Sequence, residues 1–287
     1  MCLNMLLSIF ICAKRGRKVI IIGEKINGAV PKTAKAIAEK DEAYIIELVK
    51  TQDEAGSHYL DVCAGTAPEA EYDTLCWLID IVQSHTETPI CIDSPDADMI
   101  VKVLPRINKP GIINSISGEG NKCEVLLPVL KDNSDWQVVA LCCDNGGMAE
   151  SAEDKIRIGM ALIEEAAKYG ITPDRIHIDP LVLALSAVND ASVQFCKAIV
   201  GLKEKSPTVK IAAALSNVSF GMPARGLLNR NFLTLTIAAG LDTIIADPTN
   251  RDVTGNIFAT QALLGKDKFC RKYNNAFRAG KIGPVKK

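Results

Sequence analysis

One pattern recurs along the chain: a short apolar run, rich in β-branched residues, that ends on Asp, Asn or Ser. It is clearest at Ile211–Phe220, where the apolar run reaches Leu215 and the polar residues Ser216 and Asn217 follow. A buried parallel strand whose carboxyl end opens into a site has this pattern. The pattern returns at Ile90–Ser94, Gly111–Ser115, Ile176–Pro180 and Thr243–Pro248. A hydrophobic core needs the apolar residues but not these carboxylates and amides, so their position at strand ends indicates a functional role.

The periodicity of the whole chain predicts strands that alternate with helices. The predicted strands are Lys18–Glu24, His58–Gly65, Pro89–Ser94, Gly111–Ser115, Gln137–Cys143, Arg175–Asp179, Val209–Leu215 and Asp242–Asp247. The predicted helices are Lys32–Ala55 in two pieces, Glu71–Ser84, Asp96–Ile107, Glu124–Lys131, a helix between Ser151 and Gly170, Ala191–Lys205, Asn229–Ala239 and Asn256–Leu264. Asp41 and Ser151 are the expected N-caps, and Gly56, Gly170 and Gly240 are the expected helix stops.

Strict alternation of strands and helices favours parallel βαβ units. Eight such units fit a single (β/α)8 TIM barrel, a fold that usually takes about 250 residues. A doubly wound open sheet is the alternative, but it would require a Gly-rich first turn of the G-x-G-x-x-G kind, and Gly23–Ala29 lacks one.

We expect the barrel to occupy residues 19–270, followed by a C-terminal tail at residues 271–287. Residues 1–18 are expected to form a poorly ordered N-terminal extension. Their apolar run precedes the basic residues, which is the reverse of a signal peptide, and is too short to span a bilayer.

Composition narrows the possible partners. The 287 residues carry a formal net charge of −1 and are 5% aromatic, so neither nucleic acid nor a membrane surface is an expected partner. The ten cysteines form no C-x-x-C pair, and most lie in apolar runs. We interpret them as reduced core residues of a cytoplasmic protein.

In a barrel, the carboxyl ends of the strands meet at one face. The polar strand-end residues would then surround a single cleft: Glu24, Asp61, Asp93, Asn114, Asp144, Asp179, Asn217 and Asp247. No lysine, arginine or histidine is expected at a strand end, and the three histidines are interpreted as core or surface residues.

Two kinds of ligand suit such a ring. One is a hard divalent cation held by carboxylates. The other is a neutral heterocycle with several N–H donors, because carboxylates and amides accept such bonds. Spacing alone does not separate the two, and any single Asp could instead cap the helix that follows it. The chain has no P-loop, G-x-S-x-G, H-E-x-x-H or Cys/His zinc spacing.

Six short motifs, in order along the chain, resemble those of the pterin-binding methyltransferases. They are GEKIN (Gly23–Asn27), DS (Asp93–Ser94), INS (Ile113–Ser115), IDPL (Ile178–Leu181), LSNVS (Leu215–Ser219) and LLNR (Leu227–Arg230). The resemblance is to the methyltetrahydrofolate–corrinoid methyltransferases, and the folate domain of cobalamin-dependent methionine synthase is also similar. It extends from about Val19 to the last helix, and it implies a pterin-binding barrel of the dihydropteroate synthase-like kind.

The resemblance also implies roles for particular residues. Asp93, Asn114 and Asp179 would hydrogen-bond the pterin ring, and Asn217 would lie near N5, the nitrogen that carries the methyl group. The implied reaction moves a methyl group between N5 of tetrahydrofolate and the cobalt of a corrinoid. The other residues expected to line the site are Glu24, Asn27, Asp61, Asp144, Arg225 and Asp247, with no intrinsic metal.

No D-x-H-x-x-G corrinoid motif is present. The corrinoid is therefore expected on a separate protein that docks at the barrel mouth, and the resemblance implies a homodimer. The sequence departs from the family at Cys63, where relatives often have Asn, at Cys142–Asp144 and at Phe220. These departures concern the partner and the direction of transfer rather than the pterin.

Three alternatives remain. Dihydropteroate synthase shares the fold but would require a Ser-Thr-Arg-Pro loop after strand two and a lysine after strand seven. Those places hold Gly65–Pro68 and Asn217–Ser219. A folate-binding protein without catalysis and a carboxylate–metal barrel enzyme are the other two.

Overall fold

The computed structural model describes residues 18–284, and in this part of the chain parallel strands close into an eight-stranded barrel. The strands are β1 (Ile20–Asn27), β2 (Tyr59–Cys63), β3 (Ile90–Asp93), β4 (Ile112–Gly118), β5 (Gln137–Asp144), β6 (Ile176–Asp179), β7 (Lys210–Ala214) and β8 (Thr243–Ala246). Each pairs with the next along the chain, and β8 pairs with β1. The closed sheet confirms the barrel and excludes the doubly wound alternative.

Helices connect the strands and surround the barrel. They are α1 (Pro31–Glu39), α2 (Glu42–Glu54), α3 (Pro68–His85), α4 (Ala97–Val103), α5 (Lys122–Asp132), α6 (Ala152–Lys168), α7 (Ala191–Lys205), α8 (Arg225–Ala239), α9 (Arg251–Leu263) and α10 (Arg271–Arg278). Within residues 18–284, none of them has the length and apolar character that crossing a membrane would require. A two-residue strand, Gly147–Met148, pairs antiparallel with the end of β5.

The predicted capping signals are present in the structure. Asp41 accepts a hydrogen bond from the backbone N–H of Tyr44, and Ser151 accepts one from the N–H of Asp154. Gly170 and Gly240 follow α6 and α8 with φ of 76° and 120°. A left-handed residue there satisfies the last helical carbonyls at little steric cost.

Several predicted helix boundaries were wrong. Helix α3 begins at Pro68 rather than Glu71, and α8 begins at Arg225 rather than Asn229. Neither start has a side-chain cap, so the sequence offered no polar signal there. Helix α9 begins at Arg251 rather than Asn256. The side chain of Asn250 caps this observed start by accepting the N–H of Asp252.

Residues beyond the predicted barrel also pack against it. Helix α10 lies at the start of the predicted tail, and Ile282 after it is buried. Arg251 donates to the carbonyls of Gly280 and Gly283. The predicted N-terminal extension, apart from Lys18, lies outside the described residues.

The barrel interior is layered. A small apolar cluster of Ile22, Cys91, Ile112 and Val139 fills its middle, while a much larger apolar core separates the sheet from the helices. The bottom layer is a polar network formed by Tyr59, Gln137, His177, Lys210 and Thr243. The top of the interior is left for the strand-end residues.

His177 belongs to the bottom layer. Its ring bonds to the Thr243 hydroxyl at 2.8 Å and to Oε1 of Gln137 at 2.9 Å. Burial, with Lys210 and Lys203 nearby, lowers the pKa of His177 to about 3, so the imidazole stays neutral. This is the core role expected from the sequence.

All eight cysteines in the described part of the chain are free thiols. Cys91, Cys142 and Cys143 are buried as expected, but Cys270 is exposed. Cys270 lies in the segment before α10, outside the barrel, so its prediction as a core residue was wrong. Cys2 and Cys12 lie outside the described residues.

A close backbone approach at the base of β4 generates the first prediction. A Cβ at Gly111 would lie 2.0 Å from the carbonyl oxygen of Ile90, whereas a Cβ at Gly226, in α8, would meet nothing within 4 Å. Gly111→Ala should therefore destabilise the protein by about 3 kcal/mol through overpacking. Gly226→Ala, the matched control, should be neutral or stabilising by up to about 1 kcal/mol. Urea unfolding measures both, and equal midpoints would contradict the register of β3 and β4.

Candidate functional site

Strand register brings four polar residues to one level at the carboxyl end of the barrel. Asn27 in β1 pairs with Cys63 in β2, Cys63 pairs with Asp93 in β3, and Asp93 pairs with Asn114 in β4. Asp61 precedes Cys63 by two residues, so both side chains point to the same face. The first half of the barrel mouth is therefore a polar row with a carboxylate beneath it.

Asp61 organises this row from below. It is only 2% exposed, and it accepts bonds from Nδ2 of Asn27 at 3.4 Å and Nδ2 of Asn114 at 3.5 Å. Burial raises the pKa of Asp61 well above its usual range, and the negative charge of Asp93 raises it further. Asp61 therefore orients two amides.

Asp93 lies above Asp61 and is half-buried. Burial raises the pKa of Asp93 to about 6, against a hydrogen bond from the Cys63 thiol that lowers it. The neighbouring Ser94 donates to Oε1 of Glu71 at 2.6 Å, which anchors the loop after β3. Asp93 is thus a partly desolvated acceptor held at the mouth.

Asp179 occupies the opposite side of the mouth, at the end of β6. It is 3% exposed, and its Oδ1 accepts the backbone N–H of Leu181 at 2.8 Å. Burial raises the pKa of Asp179 to about 6, while backbone hydrogen bonds from Leu181 and Ala214 and the charge of Lys155 lower it. Asp179 is therefore a buried acceptor on the opposite side of the barrel from Asp93.

A charged cluster completes the ring between β8 and β1. Nζ of Lys25 lies 3.2 Å from Oδ2 of Asp247. Burial raises the pKa of Glu24 to about 7, and the charge of Asp247 adds to it. No lysine was expected at a strand end. That was wrong, because β1 continues through a register shift to Asn27 and so includes Lys25.

Asn217 lies in a 3-10 turn, Leu215–Ser219, that directly follows β7. Its side chain is exposed at the mouth. Arg225 supports the turn, with Nε donating to the Ser219 hydroxyl at 3.1 Å and a terminal nitrogen donating to the Ser216 carbonyl at 2.8 Å. Asn217 is therefore accessible to a molecule that approaches from outside.

Asp144 is not joined to the other predicted site residues by a described contact. Its Oδ1 accepts the N–H of Gly146 at 2.9 Å, and its Oδ2 lies 3.8 Å from Arg157. These local bonds serve the turn after β5.

Sequence reasoning missed the roles of Cys63 and Lys25. The alternation of side chains along β2 could have placed the Cys63 thiol beside Asp93. Nothing in the sequence signalled the pairing of Lys25 with Asp247, which lie near opposite ends of the barrel sequence.

The mouth has the chemistry of an acceptor-rich pocket. Across residues 18–284 there is no group of three His, Cys, Asp or Glu residues arranged to hold a metal ion. Two desolvated carboxylates, Asp93 and Asp179, and the amide of Asn114 instead present hydrogen-bond acceptors on facing walls. A planar heterocycle with several N–H groups complements them, because each carboxylate can accept two such bonds.

The protein is a (β/α)8 barrel whose carboxyl end carries a polar cleft rich in hydrogen-bond acceptors. Residues 29–247 match the family model described as pterin binding enzyme. The chain therefore belongs to the pterin-binding enzyme family.

Two curated relatives refine this result. The chain is 54% identical over 268 residues to methylcorrinoid:tetrahydrofolate methyltransferase of Eubacterium limosum, covering 93% of this chain and 99% of that protein. It is 28% identical over 239 residues to methionine synthase of Mycobacterium leprae, covering 79% of this chain but 20% of that protein.

Solved structures share the fold. Dihydropteroate synthase from Xanthomonas albilineans with 4-aminobenzoic acid has a TM-score of 0.63 at 15% identity, covering 86% of this chain and 92% of that one. The enzyme from Yersinia pestis has a TM-score of 0.61 at 12% identity, covering 86% and 95%. At these identities the likeness extends to the barrel alone.

The raised pKa of Asp179 generates a prediction about stability. In the folded state the pKa of Asp179 is about 6, above its ordinary value of 3.8. Stability is therefore lost as the pH rises from about 4 through 6, because ionisation is harder in the folded state. Asp179→Asn keeps the acceptor for Leu181 and removes that loss.

The variant should match the wild type near pH 4 and exceed it above pH 7 by on the order of 2 kcal/mol. Urea unfolding of both proteins from pH 4 to 8 measures this difference. Glu24 and Asp93 titrate in both proteins, so their effects cancel when the two free energies of unfolding are subtracted. A difference in unfolding free energy between variant and wild type that stays constant with pH would contradict the raised pKa of Asp179.

Proposed function

We propose that this chain is a methyltransferase that moves a methyl group from a methylated corrinoid protein to N5 of tetrahydrofolate. The main support is the 54% identity, over nearly the whole of both chains, to methylcorrinoid:tetrahydrofolate methyltransferase. Tetrahydrofolate is then one substrate, and the corrinoid is carried by a partner protein. The acceptor-rich mouth agrees with this reaction.

The pterin is proposed to lie in the mouth between the walls that carry Asp93 and Asp179, with N–H groups directed toward both carboxylates. The 2-amino group and N3–H of a pterin are donors, and Asp93 and Asp179 are desolvated acceptors. Asn114 supplies one acceptor and one donor. Glu24, Asn27, Asp61, Arg225 and Asp247 line or support this pocket, whereas Asp144 is held in the turn after β5 and joins none of them.

The reaction transfers the methyl carbon without its bonding electrons. The lone pair of N5 attacks the methyl carbon, the carbon–cobalt bond breaks, and cobalt(I) keeps the electron pair. The N5 proton is released to solvent. We place Asn217 beside N5, where its carboxamide oxygen accepts the N5–H in a hydrogen bond that strengthens as N5 becomes positive in the transition state.

The corrinoid protein is proposed to dock at the barrel mouth. Met148, Phe220 and Leu227 are exposed apolar residues in the loops after β5 and β7 and at the start of α8. Exposed apolar side chains around a polar cleft suit a transient partner surface. Asn217 lies between Leu215 and Phe220, in the turn that would meet this partner.

Dihydropteroate synthase is not proposed, because its similarity to this chain extends to the fold alone. Turnover distinguishes the proposed enzyme from a folate-binding protein without catalysis.

We also infer a cytoplasmic location, because the eight described cysteines are free thiols, as expected in a reducing compartment.

Turnover tests the proposed function. Purified protein is mixed with methylcobalamin and tetrahydrofolate, and demethylation of the cobalt is followed by absorbance; the reverse reaction starts from cob(I)alamin and methyltetrahydrofolate. Asn217→Ala should lower the rate by about 10²- to 10³-fold, since one transition-state hydrogen bond is lost. Tetrahydrofolate affinity, measured by calorimetry, should change much less.

Asn133→Ala is the matched control, because Asn133 follows α5 and donates its amide to the carbonyl of Val129, remote from the strand ends. It should retain the wild-type rate. Folate binding without turnover, even with methylated corrinoid protein, would favour a binding protein. Absence of folate binding would exclude the pterin site.

We further propose a homodimer formed through α8, α9 and the segment after α9. Leu235, Leu263 and Phe269 are exposed there, with Leu263 at 83% and Phe269 at 76%. Such a surface on a single chain favours burial against a second copy.

Light scattering after gel filtration tests the dimer. The wild type should show about twice the chain mass of 30.9 kDa, and Leu263→Glu combined with Phe269→Glu should show the single-chain mass. Val193→Glu, on the exposed face of α7, is the control and should leave the dimer intact. A wild type that runs as a monomer would reject the proposal.

A further inference from the structure

Lys155 is a buried cation for which the proposed reaction has no direct use. It lies in the first turn of α6, is 1% exposed, and is among the largest fully buried side chains. A buried lysine is unfavourable unless its charge and its three N–H donors are satisfied. Its surroundings therefore indicate what it stabilises.

Three backbone carbonyls satisfy the ammonium group. Nζ of Lys155 donates to the carbonyl of Ala149 and, at 2.8 Å each, to the carbonyls of Pro180 and Leu181. Ala149 belongs to the loop after β5, whereas Pro180 and Leu181 directly follow β6. One side chain thus connects two neighbouring loops at the mouth.

The loop after β6 needs such support because of its backbone geometry. Leu181 has a φ of 54°, in the left-handed region that side chains other than glycine rarely adopt. In the same turn, the N–H of Leu181 donates to Oδ1 of Asp179 at 2.8 Å. The two carbonyls held by Lys155 precede and follow the left-handed Leu181 backbone.

We propose that Lys155 is a positioning residue that holds the β6 loop, and with it the carboxylate of Asp179, in the arrangement that binds the pterin. Lys155 acts in two ways. Its three hydrogen bonds fix the left-handed turn, and its positive charge favours the ionised form of Asp179. This inference rests on the proposed function, because it takes Asp179 as a pterin ligand.

The charged and titratable groups around this pair are few. Lys155 lies in the field of Asp179, of Glu150 in the loop before α6, and of the Cys142 thiol in β5. Lys155 is the cation that lowers the pKa of Asp179, and burial raises the pKa of Cys142, which keeps that thiol neutral at physiological pH. Removing the lysine charge therefore makes Asp179 harder to ionise.

The test is Lys155→Met, which retains an unbranched side chain out to the Cε position but removes the Nζ with its charge and donors. Tetrahydrofolate affinity is measured by calorimetry from pH 5.5 to 9, in the wild type and in the variant. At pH 7 the variant should bind about 10- to 100-fold more weakly. The acidic limb of its binding profile, which is the pH range where affinity falls on acidification, should move upward by about 1 pH unit. Part of the affinity should therefore return at high pH.

Lys203→Met is the matched control. Lys203 is a lysine whose side chain is only 9% exposed, and it donates to the carbonyl of Val209 at 2.6 Å and pairs with Asp242. Those partners precede β7 and β8, at the opposite end of the barrel. The control should lose stability while its pH profile of binding stays that of the wild type.

The outcomes are distinct. An unmoved acidic limb in folded Lys155→Met, or an equal shift in Lys203→Met, would overturn the positioning role. If Lys155→Met does not fold, Lys155→Gln, which retains two N–H donors without the charge, takes its place with the same expected shift. A wild type that does not bind tetrahydrofolate would instead reject the proposed function.

Discussion

Desolvation of carboxylates at one end of a closed barrel is the constraint that shapes this protein. Closure brings all strand ends together above an apolar layer formed by residues such as Ile112 and Val139. Carboxylates there have little water, so the pKa of Asp93 and of Asp179 rises to about 6. Ionisation of these carboxylates therefore costs stability, and a donor-rich ligand offsets that cost by supplying hydrogen bonds.

The other end of the barrel shows how polar groups are buried without a ligand. His177, Gln137, Tyr59 and Thr243 bond to one another, and burial keeps the imidazole neutral. This network satisfies itself, whereas Asp93 and Asp179 keep free acceptor capacity. The contrast agrees with the usual division of such barrels into a stabilising face and a catalytic face.

Depth within the mouth matches the two halves of the proposed reaction. The deep acceptors suit recognition of the pterin edge, while Asn217 is exposed on a turn supported by Arg225. A methyl group that passes between two bound molecules must lie where both can reach it. Phe220 lies beside that turn and is 69% exposed, where the proposed partner would dock.

The sequence by itself determined the strand and helix order, the barrel and most of the polar ring. Alternation and apolar runs are local patterns, and the end of a buried strand is visible wherever an apolar run stops. Tertiary structure decided what those residues contact. Three contacts join residues that are remote in sequence: Lys25 with Asp247, the Cys63 thiol with Asp93, and the Lys155 ammonium group with the carbonyl of Leu181. Only closure of the sheet, which fixes register and burial together, brings these pairs into contact.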